Sequence, residues 1–108
     1  MSSGPCGLVV GVERKPHTIR LRLAGELDLA SAPGLEHQLE DLLSEDIRRV
    51  TIDLRDLEFL DSAGLRALLV AHRRLTESGR ELLLGPGPRA VQRLFELTGS
   101  DRIFRFTE

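Results

Sequence analysis

At 108 residues, with 41% hydrophobic and 30% charged side chains, the chain has the composition of one globular domain and is too short for two. Its 15 basic and 17 acidic residues leave a net charge of −2, which argues against direct nucleic-acid binding, because phosphate-backbone recognition needs a concentrated positive field. Cys6 is the single cysteine, so no internal disulfide forms and a reducing compartment fits, and no apolar run approaches the ~20 residues that cross a bilayer.

Residues 1–7 are small and turn-prone and predict a frayed lead-in, with the domain proper over 8–108. Leu8 to Val12 reads as a first strand, closed by the turn Lys15-Pro16-His17. Thr18 to Ala24 alternates: Ile19, Leu21 and Leu23 face one way, while Thr18, Arg20 and Arg22 face the other, as in a strand with one wet face. Gly25-Glu26-Leu27-Asp28 breaks that pattern. Ser31 is placed to cap a helix with Pro33 in its first turn, and Leu35, Leu39, Leu42 and Leu43 form its apolar stripe.

Val50 to Leu54 is the next strand, and Leu57-Glu58-Phe59-Leu60 leads from it into Asp61-Ser62-Ala63-Gly64. A second helix follows, with Leu65, Leu68, Leu69 and Leu75 on one face and Ser78-Gly79 at its end. Leu82 to Leu84 is a short buried strand. Pro86 and Pro88 open a third helix that carries Val91, Leu94 and Phe95 and stops at Gly99, and Ile103 to Phe106 is the last strand. The order β-β-α-β-α-β-α-β predicts an α/β fold with a mixed, mostly parallel sheet of about five strands. Strands covered on both faces would be continuously apolar, so the alternation places the helices mainly on one face.

The segment that carries chemistry is Asp61-Ser62-Ala63-Gly64, at a strand-to-helix junction. A helix N-terminus presents unpaired N–H groups and the positive end of the dipole. Ser62 suits the N-cap, and a phosphate on its hydroxyl would be tolerated there. Ala63 and Gly64 are small and would let another protein approach. Two readings stay open at this level: a plain helix cap, and a modifiable serine on a binding surface. Asp28 is likewise either a turn-forming residue or a functional one. Arg66, where a cation gains nothing from the dipole, is either a partner contact or a plain exposed side chain.

Enzymatic readings fare worse. Leu60-Asp61-Ser62-Ala63-Gly64 lacks the first glycine of a nucleophile elbow, and the one histidine after it, His72, lies in the same helix. His17, His37 and His72 have no metal-ligand spacing. Gly85-Pro86-Gly87-Pro88 lacks the Lys and Ser/Thr of a phosphate loop, and its prolines remove N–H donors. No catalytic residue, metal or cofactor is expected.

The stretch LRDLEFLDSAGLRALL resembles the signature of STAS domains, specifically the bacterial anti-sigma factor antagonists. Two further blocks carry the likeness: Gly25-Glu26-Leu27-Asp28 after an alternating strand, and Arg93-Leu94-Phe95-Glu96-Leu97-Thr98-Gly99 before a final strand with Phe104. The resemblance runs from about Leu8 to Phe106. It implies that Ser62 is phosphorylated by a partner that is both an anti-sigma factor and a serine kinase. The unphosphorylated antagonist binds that partner and frees a sigma factor; phosphorylation ends the binding, and a PP2C-type phosphatase reverses it. It also implies that Asp28 lies near the serine and helps in partner binding or phosphorylation, and Asp61 matches the family's Asp before the phosphoserine; with Ala63, Gly64 and Arg66 from the local reading above, the expected partner surface is Asp28, Asp61, Ser62, Ala63, Gly64 and Arg66. Ala63 departs from the commonest form of the motif, which has a second Ser or Thr there. A cytoplasmic protein, monomeric or weakly dimeric, is expected. The alternatives are a non-switching STAS scaffold or transporter-associated subunit, and a serine hydrolase.

Overall fold

The computed structural model describes residues 2–3 and 7–107. Of the lead-in expected to fray, residues 1 and 4–6, Cys6 among them, lie outside the described residues. Among the described residues the order is β1 (Ser2–Ser3), β2 (Leu8–Arg14), β3 (Thr18–Leu27), α1 (Ala32–Leu42), β4 (Arg49–Leu60), α2 (Ser62–Glu77), β5 (Glu81–Gly85), α3 (Arg89–Thr98), a 3-10 turn (Ser100–Arg102) and β6 (Arg105–Phe106). The strands lie in one sheet in chain order. β1–β2 and β2–β3 are antiparallel; β3–β4, β4–β5 and β5–β6 are parallel. The expected α/β order is therefore present, with a two-residue strand added at the β1 edge.

Alternation sets the two faces of the sheet. Ile19, Leu21, Leu23, Val50, Ile52, Leu82 and Leu84 point inward and join Leu35, Leu39, Leu65, Leu68, Leu75, Val91 and Phe95 of the helices in one contiguous core. Phe95, Phe104 and Phe106 meet edge to face at its lower corner, with ring centroids 5.4–6.4 Å apart, and His72 of α2 stands edge-on to Phe104 at 5.6 Å. The other face carries Arg20, Arg22, Thr51 and Asp53 and is partly open to water.

Three element boundaries differ most from the sequence reading. β4 runs on to Leu60 instead of stopping at Leu54. Its inward residues there are Leu54, Leu57 and Leu60, three apart, because β4 gains one residue on β3 at each of two bulges, between the pairs Arg22–Asp53 and Ala24–Asp56 and between Gly25–Leu57 and Glu26–Phe59. β3 likewise continues through Gly25-Glu26 to Leu27. The last strand is only Arg105–Phe106; Ile103 ends the 3-10 turn, stays 51% exposed, and leaves Phe104 to enter the core.

On the wet face, Asp53 is a buried carboxylate held by Arg20 at 2.6 Å and by the Arg55 backbone N–H at 3.0 Å. Burial alone would raise its pKa, but the Arg55 N–H, the bond from Arg20 and the charges of Arg20 and Arg55 outweigh it and hold the carboxyl below its usual 3.8. As pH falls, the unfolded chain takes up this proton first, so the contribution of Asp53 to stability is full above about pH 4 and is lost below it. Asp53→Asn should cost about 1–2 kcal/mol at neutral pH and flatten the acid limb of the stability curve. Urea unfolding from pH 7 down to about pH 3 checks this; parallel curves for the two proteins would refute it.

Candidate functional site

The junction between β4 and α2 is tied to the loop after β3. Asp61 stands at the N-cap of α2 in an extended conformation, φ −107° and ψ −176°. Its Oδ1 accepts the Gly64 N–H at 2.8 Å, and its Oδ2 accepts the Leu29 N–H at 3.3 Å. Its own N–H donates to the Leu27 carbonyl at 3.3 Å. One side chain thus caps the helix and fixes the neighbouring loop. The cap expected of Ser62 is a correction: Asp61 caps α2, because only the extended residue before the first turn can reach the N–H three positions on. Ser62 is the first helical residue, is exposed, and makes no hydrogen bond through its hydroxyl among the described residues.

Asp28 is half-buried and acts locally. Its Oδ1 accepts the N–H groups of Ala30 and Ser31 at 3.1 and 3.0 Å, and Ser31 Oγ donates to the Glu26 carbonyl at 2.9 Å. Ser31 sits at the N-cap position of α1 but gives the helix no side-chain cap, so the expected capping role passes to the Asp28 turn. The structure therefore gives Asp28 a turn-forming role and links it to Ser62 only through the shared loop, by way of Leu29 and Asp61.

Gly64 is buried, not surface-exposed. A Cβ there would lie 2.4 Å from the Leu27 carbonyl oxygen and 2.8 Å from Leu60 Cδ1. Its smallness lets α2 start hard against the β3 loop, which is a contact inside the chain and not a space left for a partner. Ala63 is half-buried and Arg66 exposed.

Ser62, Ala63 and Arg66 meet Leu29, Pro33, Glu36, Ala67 and Val70 around an open groove of about 520 Å³ between the starts of α1 and α2. Leu29 is the residue sequence reasoning missed. It is 74% exposed, yet its backbone is pinned by Asp61, so it presents a fixed apolar knob beside Ser62. A leucine next to an aspartate gives no periodic signal, and its exposure became visible only with the fold. The groove is apolar along its floor, with one cation and one carboxylate, Arg66 and Glu36, at its edge. No side chain in it forms a nucleophile–base pair; what it offers is a largely apolar groove with the exposed Ser62 hydroxyl at its rim.

Comparison with known proteins identifies the family of the chain. The family model described as "Mlab, STAS domain" matches residues 10–106. An anti-sigma-B factor antagonist of Staphylococcus aureus is 30% identical over 89 residues, covering 82% of each chain. The crystal structure of an anti-sigma factor antagonist from Mycobacterium paratuberculosis superposes with a TM-score of 0.78 at 29% identity, over 97% of this chain and 89% of that one. At the level of fold alone, the Bacillus cell fate determinant SpoIIAA in its phosphorylated form matches with a TM-score of 0.72 at 19% identity, over 93% of this chain and 92% of that one. The chain belongs to the STAS domain family, among the anti-sigma factor antagonists.

Proposed function

We propose that the chain is a phosphorylation-switched antagonist. Unphosphorylated, it docks its Ser62 groove on an anti-sigma factor that is also a serine kinase, and a sigma factor is freed. The kinase transfers the γ-phosphoryl group of ATP to Ser62 Oγ; the hydroxyl proton is released and ADP leaves. The phosphorylated chain lets go, and a PP2C-type phosphatase hydrolyses the ester to reset it. The protein acts by binding rather than by catalysis, and on this reading it works in the cytoplasm, where ATP and sigma factors meet.

The observation that carries this reading is the unused Ser62 hydroxyl. Asp61 caps α2, so Ser62 is not needed to hold the helix. It is exposed at a helix start, where the dipole favours an added dianion, and it borders a groove with a pinned apolar knob. Two further supports are the name of the Staphylococcus relative and the fact that SpoIIAA, which shares the fold, is known in phosphorylated and unphosphorylated forms.

The test is to incubate the chain with each purified kinase-type anti-sigma factor of its host and ATP, then map the phosphate by mass spectrometry. Phosphate on Ser62, and none on a Ser62→Ala variant that still binds, is the expected result. No phosphate on Ser62 from any of them, with binding indifferent to Ser62→Asp, would reject the switch in favour of a STAS scaffold or transporter-associated subunit.

A further inference from the structure

The outer side of α2 carries a stripe that the Ser62 groove uses only at its upper end. Arg66, Leu69, Val70, Arg73 and Glu77 recur at helical spacing, and with His72, Thr76 and Ile103 they line a second groove of about 380 Å³. Its floor is apolar: Leu69 and Val70 are half-buried, and Ile103 leaves half its surface open. Its two ends carry opposite charges, Arg66 towards the start of α2 and Glu77 at its end. Neither is in an ion pair among the described residues, whereas Arg74, turned towards α1, is paired with Glu40 at 3.4 Å.

An apolar strip with unlike charges at its two ends is complementary to itself under a twofold rotation. When a second α2 lies antiparallel on the first, Glu77 of each copy falls opposite Arg66 of the other. Val70 and Arg73 of each copy then flank the twofold axis, with Leu69 beside them. Arg73 falls across from Val70, where its aliphatic stem covers apolar surface and its head stays in water. A uniformly acidic partner would suit Arg66 and Arg73 but clash with Glu77, and a basic one would do the reverse. We propose that this groove is occupied by a second copy of the same chain, in an antiparallel α2–α2 homodimer with two Arg66–Glu77 pairs. The exposed apolar strip is short, so the dimer is a weak, concentration-dependent one. Arg66 and Val70 border both grooves, so self-association covers one edge of the Ser62 surface.

The proposal goes beyond the phosphorylation reading and is tested without kinase or phosphate. Sedimentation velocity on the full chain from ~10 µM to ~1 mM should show the mass rising from 12.0 kDa towards twice that value. Arg66→Glu and Glu77→Arg each set like charges opposite one another in both pairs, and each should raise the midpoint concentration by at least ~10-fold. The double variant should restore the wild-type midpoint. An equimolar mixture of the two single variants should also dimerise, since it pairs Glu with Arg twice. Ile103→Asp, at an exposed position, should raise the midpoint while leaving the melting temperature in place. A monomer at every concentration, single variants that associate like the wild type, or a double variant and mixture that fail to recover would each overturn the proposal.

Discussion

Gly64→Ala should lower the melting temperature of this domain by about 10 °C, a large effect for one methyl group. A Cβ at position 64 would sit 2.4 Å from the Leu27 carbonyl oxygen, far inside van der Waals contact, and the obstacle is backbone, which cannot rotate away. Elsewhere in a helix the same change gains about 0.5–1 kcal/mol from reduced chain entropy. Here overpacking against a fixed carbonyl costs about 3 kcal/mol, and the net loss is about 2–2.5 kcal/mol. The Leu27 carbonyl also accepts the Asp61 N–H, so displacing it loosens the joint between the β3 loop and the start of α2. The variant should therefore also speed hydrogen exchange at Leu29 and Asp61 beyond what its lower global stability accounts for. Thermal unfolding by circular dichroism is the measurement; a melting temperature within about 2 °C of the wild type would mean the junction yields more easily than its geometry implies.

That joint also shows where the sequence was informative and where it was not. Ile19, Leu21 and Leu23 against Thr18, Arg20 and Arg22 announce a sheet with one covered face, because strand side chains alternate and nothing else yields that period. The helices were legible from Leu35 and Leu39, Leu65 and Leu68, Val91 and Phe95, all of which pack in the core. The end of β4 was not. Leu54, Leu57 and Leu60 are buried at a spacing of three because two bulges shift the strand, and a spacing of three resembles neither a regular strand nor, over so short a run, a helix. The cap was ambiguous for a different reason. Asp61 and Ser62 are both good capping residues in adjacent positions, and the choice depends on which one keeps an extended backbone as the strand ends. That choice decides the chemistry, since it frees Ser62. The family resemblance pointed to Ser62 and Asp28 together. The fold keeps them on one junction but gives Asp28 a turn to hold, and adds Leu29, whose exposure no local pattern signals.

Phosphorylation of Ser62 should weaken docking by about 100-fold or more while leaving the fold intact. A phosphoserine carries about −1.5 to −2 charges at neutral pH. Its repulsion from the Asp61 carboxylate is present in the free protein too, so only the change on docking counts. At about 6 Å, unit charges repel by about 0.7 kcal/mol in water and about 3 kcal/mol at an effective dielectric near 20. Closing a partner over the groove therefore adds about 2 kcal/mol per unit charge, or about 3–4 kcal/mol for the phosphate. Desolvating the dianion against Leu29, Pro33 and Val70 adds to this cost, while Arg66, one turn along, returns part of it. Within the free domain the sign is opposite, because a negative group in the first turn of α2 is favoured by the helix dipole. The switch should thus act at the interface and not by refolding. Calorimetric titration of the kinase with unmodified and Ser62-phosphorylated chain measures the first claim. An NMR comparison of the two forms measures the second, with shifts expected only over the β3–α1 loop and the first two turns of α2. Affinities within about threefold of one another would refute the electrostatic account. Shifts spreading through β5 and α3 would mean that the phosphate acts through the fold after all.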